Sequence, residues 1–149
     1  MRFLLKKFLT ILFSVSLLTG SAILPVSAET LSFEEMYSGW SEGALLFSEK
    51  LKNLEGEEVT VAGYMAPPLT PTVRFFVLTE VPMSVCPFCS SDADWPDNII
   101  VVKVNEDITA LPYDVPITVT GILEMGSETD EETGFVSQVR IDSRSISVN

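Results

Sequence analysis

The chain has 149 residues, of which 21 are acidic, nine are basic and none is histidine, giving a formal net charge of −12. An acidic surface repels phosphate backbones and anionic lipid headgroups, so the composition argues against nucleic-acid binding through electrostatics. The missing histidine excludes a Ser-His-Asp triad, and the sequence contains no phosphate-binding glycine loop or dinucleotide fingerprint. No pair of carboxylates stands out by its spacing as the acid and base of a glycosidase. We therefore expect a binding domain rather than an enzyme.

The N-terminus has the pattern of a secretory signal peptide. Three basic residues precede an apolar run over residues 8–18, and small residues occupy positions 26–28. We predict cleavage after Ala28 and export to the periplasm or the extracellular space. An uncleaved anchor is the alternative, although polar and turn-forming residues interrupt the run before the roughly 20 apolar residues that a membrane span needs. Ser21 stands where a lipoprotein would require cysteine, so we expect no lipid anchor.

Cleavage would leave residues 29–149, with six basic and 21 acidic side chains and a net charge of −15. This length suits a single domain with one core, and no membrane span is expected after cleavage. The acidic surface would attract cations, although it also serves simply to keep an exported protein soluble. The oligomeric state is not indicated by the sequence.

Residues 32–54 are predicted to form an amphipathic helix. Residues 32–35 (SFEE) have the capping-box pattern, and Gly56 is the expected stop. Gly39 and Gly43 weaken the middle, so a kink or two shorter helices is an alternative. Apolar residues recur every three or four positions and are expected to pack in the core: Phe33, Met36, Trp40, Ala44, Phe47, Leu51 and Leu54.

Residues 57–148 are predicted to form five strands, because the apolar period changes from helical to two. The third strand is short and nearly all apolar, as expected for a strand covered on both faces. In the fifth, Val139, Ile141 and Ile146 can face the core, and residues 143–145 can form a bulge. The predicted strands span residues 57–65, 73–81, 99–104, 117–125 and 135–148.

Five strands and one helix in a domain of this size favour a mainly β fold, an antiparallel OB-fold-like barrel. The helix would lie at the N-terminus, where it could plug one end of the barrel. Gly63 and Gly121 fall in mid-strand, which is typical of a sharp bend or of a second backbone that comes close. The domain prediction is thus a signal peptide over residues 1–28 and one OB-like domain over residues 29–149.

The only two cysteines, Cys86 and Cys89, lie in the loop between the second and third predicted strands, with Asp92 and Asp94 close behind. Two thiolates and one or two carboxylates can supply the three or four ligands that Zn²⁺ needs. A thiolate together with the thioether of Met83 would instead favour Cu⁺, our second choice. An acidic turn can add a ligand or be a plain solvated loop: Glu128, Asp130, Glu131 and Glu132.

Two other interpretations of the cysteine pair stay open. A redox dithiol is suggested by the one-hydroxyl difference between C-P-F-C and the C-P-Y-C of glutaredoxins, but no activating helix is expected to follow. The neighbouring carboxylates of Asp92 and Asp94 also disfavour a thiolate by repulsion. A structural disulfide suits an oxidising compartment, although a bridge over so few residues contributes at most roughly 3 kcal/mol.

The loop and the strands beside it resemble a group of small exported bacterial proteins. The matching segments are residues 75–78 (FFVL), 82–89 (PMSVCPFC), 92–96 (DADWP) and 99–102 (IIVV). The similarity continues over residues 54–67 and 119–121, so it covers roughly residues 54–148. More distantly, the chain resembles the C-terminal domain of a membrane protein family linked to zinc homeostasis, in which adjacent cysteines replace the spaced pair.

These families are poorly characterised, have OB-like barrels, and are in some cases encoded beside transporter components. The resemblance implies a periplasmic metal-handling accessory for zinc, with a membrane transporter component as its partner. One related family has a cysteine and a histidine in the corresponding loop, whereas this chain contains no histidine.

Overall fold

A computed structural model describes residues 27–68, 70, 72–85, 95–131 and 133–149. The predicted signal peptide therefore lies outside the described residues, except for its last two positions. A 3₁₀ turn, Phe33–Glu35, precedes the strand β2. The other elements in the described chain are β1 Glu29–Thr30, β2 Tyr37–Ser41, β3 Ala44–Phe47, α1 Glu49–Asn53, β4 Glu58–Met65, β5 Thr72–Thr79, β6 Ile99–Thr109, β7 Pro116–Thr129 and β8 Val136–Val148.

Five of the strands form a closed barrel in the order β4-β5-β6-β8-β7, because β7 also pairs with β4. This order confirms the mainly β, OB-fold-like prediction. One feature corrects it: β8 pairs in parallel with β6. A ring with an odd number of strands cannot be antiparallel throughout, so one neighbouring pair has to run in the same direction. Outside the ring, β1 pairs in parallel with β4, and β2 pairs only with β3 among the described strands.

The predicted alternation of side chains along the barrel strands is confirmed. In β4 and in residues 116–123 of β7, every second residue is buried, and the residues between them are more exposed. β6 begins with four consecutive buried residues, so the expectation that this strand is covered on both faces also holds. The barrel core contains Val59, Val61, Met65, Phe76, Leu78, Ile100, Val102, Ile117, Val119, Leu123, Val139 and Ile141.

The two mid-strand glycines lie where another strand comes very close. A Cβ added to Gly63 would be 2.6 Å from the carbonyl oxygen of Thr79, and one added to Gly121 would overlap the Asp142 carbonyl oxygen. Beside Gly121, the pairing of β7 with β8 shifts by one residue, so that Arg144 is extra. The predicted bulge at residues 143–145 is therefore confirmed, and it bends β8 around the barrel.

The predicted helix over residues 32–54 is wrong in its extent. The only α-helix in this segment is α1, Glu49–Asn53, and β2 and β3 form a hairpin before it. Glu42 and Gly43, the two residues between the paired Ser41 and Ala44, have φ of 54° and 84°. Positive φ at both central positions is the geometry of a tight hairpin turn and breaks a right-handed helix.

Parts of the helix prediction nevertheless hold. The capping box forms, with the backbone N–H of Ser32 donating to Glu35 Oε2 at 3.0 Å, but it starts the 3₁₀ turn. Four of the seven residues of the apolar stripe join the barrel core and Phe47 packs against it, whereas Trp40 and Ala44 are exposed. The core therefore receives two short helical pieces and not one long helix; their buried residues are Phe33, Met36, Leu51 and Leu54.

An ion pair joins the 3₁₀ turn to α1. Lys50 Nζ lies 2.9 Å from Glu35 Oε1 and donates to the carbonyl oxygen of Thr30 at 3.1 Å. The hydrogen bond from Lys50, followed by those from Ser32, lowers the pKa of Glu35 to about 2. The N-terminal segment is thereby tied to the helix that packs in the core. None of the helices in the described chain has the length and apolar character needed to cross a membrane.

We expect Ser48→Ala to destabilise the protein by about 0.5–2 kcal/mol, since Ser48 Oγ accepts the Leu51 N–H at 3.0 Å and caps α1. In a continuous helix over residues 32–54, the same change would replace a mid-helix serine by the best helix former and would be stabilising. Urea unfolding, monitored by circular dichroism, measures whether the free energy of unfolding falls or rises. Ser41→Ala, at an exposed β2 position, is the control and should be nearly neutral; a gain in stability for Ser48→Ala would contradict the hairpin.

Gly121→Ala should destabilise the barrel by about 1–3 kcal/mol or more, because the new Cβ would meet β8 backbone that cannot easily move. The measurement is again the free energy of unfolding in urea. Ser147→Ala, on the exposed side of β8, is a matched control on the facing strand and should cost little. Equal stabilities of the two variants would show that β7 and β8 do not approach closely at Gly121.

Candidate functional site

The cysteine loop belongs to the long connection between β5 and β6, residues 80–98. The predicted ligands Cys86, Cys89, Asp92 and Asp94 lie outside the described residues, so their arrangement stays a prediction. Within the residues that the structure describes, no group of three or more cysteine, aspartate or glutamate side chains is placed to hold a metal ion. The described part of the site consists of the two ends of the connection and the surface beside it.

Both ends of the connection are fixed to the barrel at one point. The backbone N–H of Glu80 donates to the carbonyl oxygen of Asn98 at 3.1 Å, directly beyond the paired Thr79 and Ile99. Thr79 is fully buried, and its hydroxyl lies 3.2 Å from the Tyr64 carbonyl oxygen and 2.8 Å from that of Val81. A connection of this length without regular structure at its ends is more often functional than a simple link.

Trp95 anchors the C-terminal end of this connection. Its indole N–H donates to the phenolic oxygen of Tyr37 at 2.7 Å, and its ring centroid lies 6.5 Å from that of Phe135. Burial, opposed by this hydrogen bond and assisted by the charge of Asp97, raises the pKa of Tyr37 to about 12. The neutral phenol therefore joins the β2–β3 hairpin to the residue that follows the cysteine loop.

A second apolar cluster covers the outer face of β5 and β6. The rings of Phe75 and Phe135 stack at 6.3 Å with 22° between their planes. OB-folds bind oligonucleotides and oligosaccharides on this face, but here the chain's own side chains pack against it. The cluster, defined here as the outer-face cluster, consists of Ala66, Phe75, Val77, Trp95, Ile99, Val101 and Phe135.

Beside the outer-face cluster, a groove of about 310 Å³ is lined by Lys103, Arg140 and Glu128, which form an ion-pair network with Glu124. Lys103 Nζ lies 2.7 Å from Glu128 Oε1 and 3.2 Å from Glu124 Oε2. Arg140 Nε lies 3.3 Å from Glu124 Oε2 and 3.2 Å from Glu128 Oε2. The side chain of Arg140 is only 5 % exposed, so protein groups and not water surround its charge.

The rest of the Arg140 guanidinium binds the irregular part of the β7–β8 pairing. Nη1 donates to the Gly126 carbonyl oxygen at 2.7 Å and, at 3.2 Å, to both oxygens of Ser137. Nη2 donates to the Met125 carbonyl oxygen at 3.4 Å. These contacts lie where the β7–β8 pairing shifts between Met125 and Glu128. Arg140 therefore holds an irregular part of the sheet in one geometry.

The network also bears on the acidic turn that the sequence offered as a source of metal ligands. The hydrogen bond from Lys103 lowers the pKa of Glu128, so this carboxylate is ionised but already paired. Partial burial acts against the charge of Lys103, but its bonds to Glu128 and Glu124 outweigh that effect and raise its pKa. Asp130 accepts hydrogen bonds from the N–H and hydroxyl of Thr133 and thereby shapes the turn. Glu128 would have to break its ion pairs with Lys103 and Arg140 before it could bind a metal.

Arg140→Ala is expected to cost at least about 1–3 kcal/mol of stability, because it leaves the carbonyl oxygens of Gly126 and Ser137 without their donor. Urea unfolding at neutral pH measures the loss. Arg144→Ala is the matched control: its side chain is 64 % exposed and makes one ion pair of 3.6 Å, so about 0–1 kcal/mol is expected. Similar losses for both arginines would mean that Arg140 does not hold the irregular part of the β7–β8 pairing.

Comparison with known proteins supports the fold alone. No protein-family model matches the chain, and no curated protein matches it. The solved structures similar to it include a DUF3299 family protein from Pseudomonas aeruginosa PAO1, with a TM-score of 0.54, 12 % identity, and coverage of 83 % of this chain and 97 % of that one. OBody AM3L09 bound to hen egg-white lysozyme matches at a TM-score of 0.35 and 19 % identity, covering 75 % and 93 % of the two chains.

Proposed function

We propose that this protein is an exported, non-enzymatic metal-binding accessory, with Zn²⁺ as its first choice of metal and Cu⁺ as the second. The cysteine loop supplies the site: the thiolates of Cys86 and Cys89 bind the ion, and Asp92 or Asp94 completes the ligand set. Thiolate and carboxylate are established zinc donors, and these four residues fall within nine positions of the sequence.

The observation that supports the proposal most directly is the anchoring of the loop. Glu80 and Asn98 hold its two ends together, and Trp95 is fixed by Tyr37 immediately after the proposed ligands. Fixed ends reduce the conformational entropy that a loop of this length loses when its ligands gather around an ion. In the acidic turn, Glu128 and Asp130 are engaged elsewhere, which favours ligands drawn from the loop itself.

Export is part of the same proposal, with the periplasm or the extracellular space as the location and a transporter component as the partner. β1 begins at Glu29, directly after the predicted cleavage position. Cleavage after Ala28 would therefore leave the pairing of Glu29 with Val59 and of Thr30 with Thr60 intact. The oxidation state of the cysteines matters in such a compartment, because only reduced thiols can bind the metal.

Two alternatives share the same residues. In a thiol-disulfide redox module, one cysteine would be a reactive thiolate. In a plain interaction domain, the pair would form a structural disulfide, whose removal would lower stability and leave partner binding unchanged. Intact mass before and after alkylation shows whether the exported protein carries thiols or a disulfide, and rapid alkylation at mildly acidic pH would reveal a reactive thiolate.

We expect residues 29–149, purified after export and reduced, to bind one zinc ion per chain, as measured by elemental analysis after gel filtration. Cys86→Ser and Cys89→Ser should each lower the zinc affinity at least about tenfold, since each removes a first-choice ligand. Asp92→Asn and Asp94→Asn identify the carboxylate ligand by the same measurement, and addition of Cu⁺ without oxygen tests the second metal.

Asp114→Asn is the matched control for the aspartate variants, because Asp114 is exposed and lies outside the loop. Its zinc content should equal that of the unmodified protein. Absence of stoichiometric metal from the reduced wild-type protein would contradict the proposal. Equal loss of zinc in Asp114→Asn would indicate loose attraction to an acidic surface and not a site.

A further inference from the structure

A second groove, of about 280 Å³, lies between the β2–β3 hairpin and the two ends of the β5–β6 connection. We call it the hairpin groove. Its aromatic residues are Phe33, Tyr37 and Trp40, and its carboxylates are Glu34, Glu80 and Asp97.

Of the three aromatic side chains of this groove, that of Trp40 is the one mostly exposed to solvent. Its side chain is 56 % exposed on β2, whereas Phe33 is 5 % exposed and packs in the barrel core. Tyr37 is half-buried and held by Trp95 on one side and Phe47, at 5.8 Å, on the other. Exposed tryptophan beside fixed aromatic rings is typical of protein-binding surfaces.

The carboxylates of the groove form no ion pair with a basic side chain in the part of the chain that the structure describes. All six lysine and arginine side chains of residues 29–149 form ion pairs with other carboxylates. None of the ion pairs in the described chain includes Glu34, Glu80 or Asp97, and all three are exposed. The groove thus combines an exposed indole with three uncompensated negative charges.

We infer that the hairpin groove binds a lysine or arginine side chain presented by a partner protein. A cation over the face of Trp40 gains from the negative ring surface, and the carboxylates of Glu80 and Asp97 pair with its charged end. The volume of the groove lies below that of most small-molecule sites and suits a single long side chain. This inference does not depend on metal binding by the cysteine loop.

The test is a titration of ¹⁵N-labelled residues 29–149 with the peptide acetyl-Gly-Arg-Gly-amide, followed by the indole N–H signal of Trp40. That signal is assigned with Trp40→Phe. A saturable shift is expected, and the same peptide with citrulline in place of arginine should bind at least about tenfold more weakly, because citrulline keeps the shape and loses the charge.

The double variant Glu80→Gln/Asp97→Asn should weaken binding of the arginine peptide by a similar factor. Its matched control is Glu106→Gln/Asp114→Asn, which removes the same charge at exposed positions outside the groove and should change the affinity less than about twofold. Unfolding midpoints confirm that the variants are folded. Cys86→Ser/Cys89→Ser should bind the peptide as the wild type does, which keeps this result separate from that of the metal experiment.

Three results would overturn the inference. Equal affinity for the citrulline and arginine peptides would show that charge is not recognised. Equal weakening in the control double variant would show general attraction to an acidic protein. A Trp40 signal that does not move at saturating peptide would place any binding elsewhere on the surface.

Discussion

The pairing of β4 with β7 is the contact on which the rest of the molecule depends. It runs from Glu58 opposite Ile122 to Tyr64 opposite Pro116 and converts a five-stranded sheet into a ring. Closure encloses one core and removes the open edges that would otherwise invite pairing with another chain. It also forces the parallel contact of β6 with β8 and the close approach of β8 to Gly121. Little of the barrel wall is then left for binding.

The features that we propose to serve function are attached to the ring of strands and are not part of it. The face of β5 and β6 is covered by the outer-face cluster, and the irregular part of the β7–β8 pairing is fixed by Arg140. The β2–β3 hairpin and the long β5–β6 connection are the two additions, and the Trp95–Tyr37 hydrogen bond joins them. Both proposals therefore concern additions to the ring, one the sulfur and carboxylate chemistry of the loop and the other the hairpin groove.

The barrel could be predicted from the sequence because its signal is local. Val59, Val61 and Gly63 occupy alternate positions, which is the pattern of any strand with one face in the core. Gly63 and Gly121 indicate close approach of a neighbouring strand, as any strongly curved sheet requires. The long helix was wrongly predicted because spacings of three and four also fit a 3₁₀ turn, a hairpin and a short helix in succession. The pair Glu42-Gly43 was the available signal, since glycine after a polar residue suits a tight hairpin turn.

The Arg140 network and the hairpin groove could not be predicted in the same way. Arg140 lies between Val139 and Ile141, and nothing in β8 alone distinguishes a buried arginine from one on a solvated face. Its partners Glu124 and Lys103 come from two other strands, so the network exists only once the register is known. The groove likewise brings together Trp40, Glu80 and Asp97, which are distant in sequence.

Ring closure also affects the rate at which the protein folds. Val59 and Gly121 are far apart along the chain, and β6 must wait for β8 before it gains its second neighbour. Loop-closure entropy is lost before such long-range pairs contribute, so barrels of this kind fold in roughly milliseconds to seconds. Until the ring closes, β4 and β7 each present an unpaired edge. The acidic charge of the chain then acts as protection during folding, because like-charged molecules with open edges repel one another before they can pair.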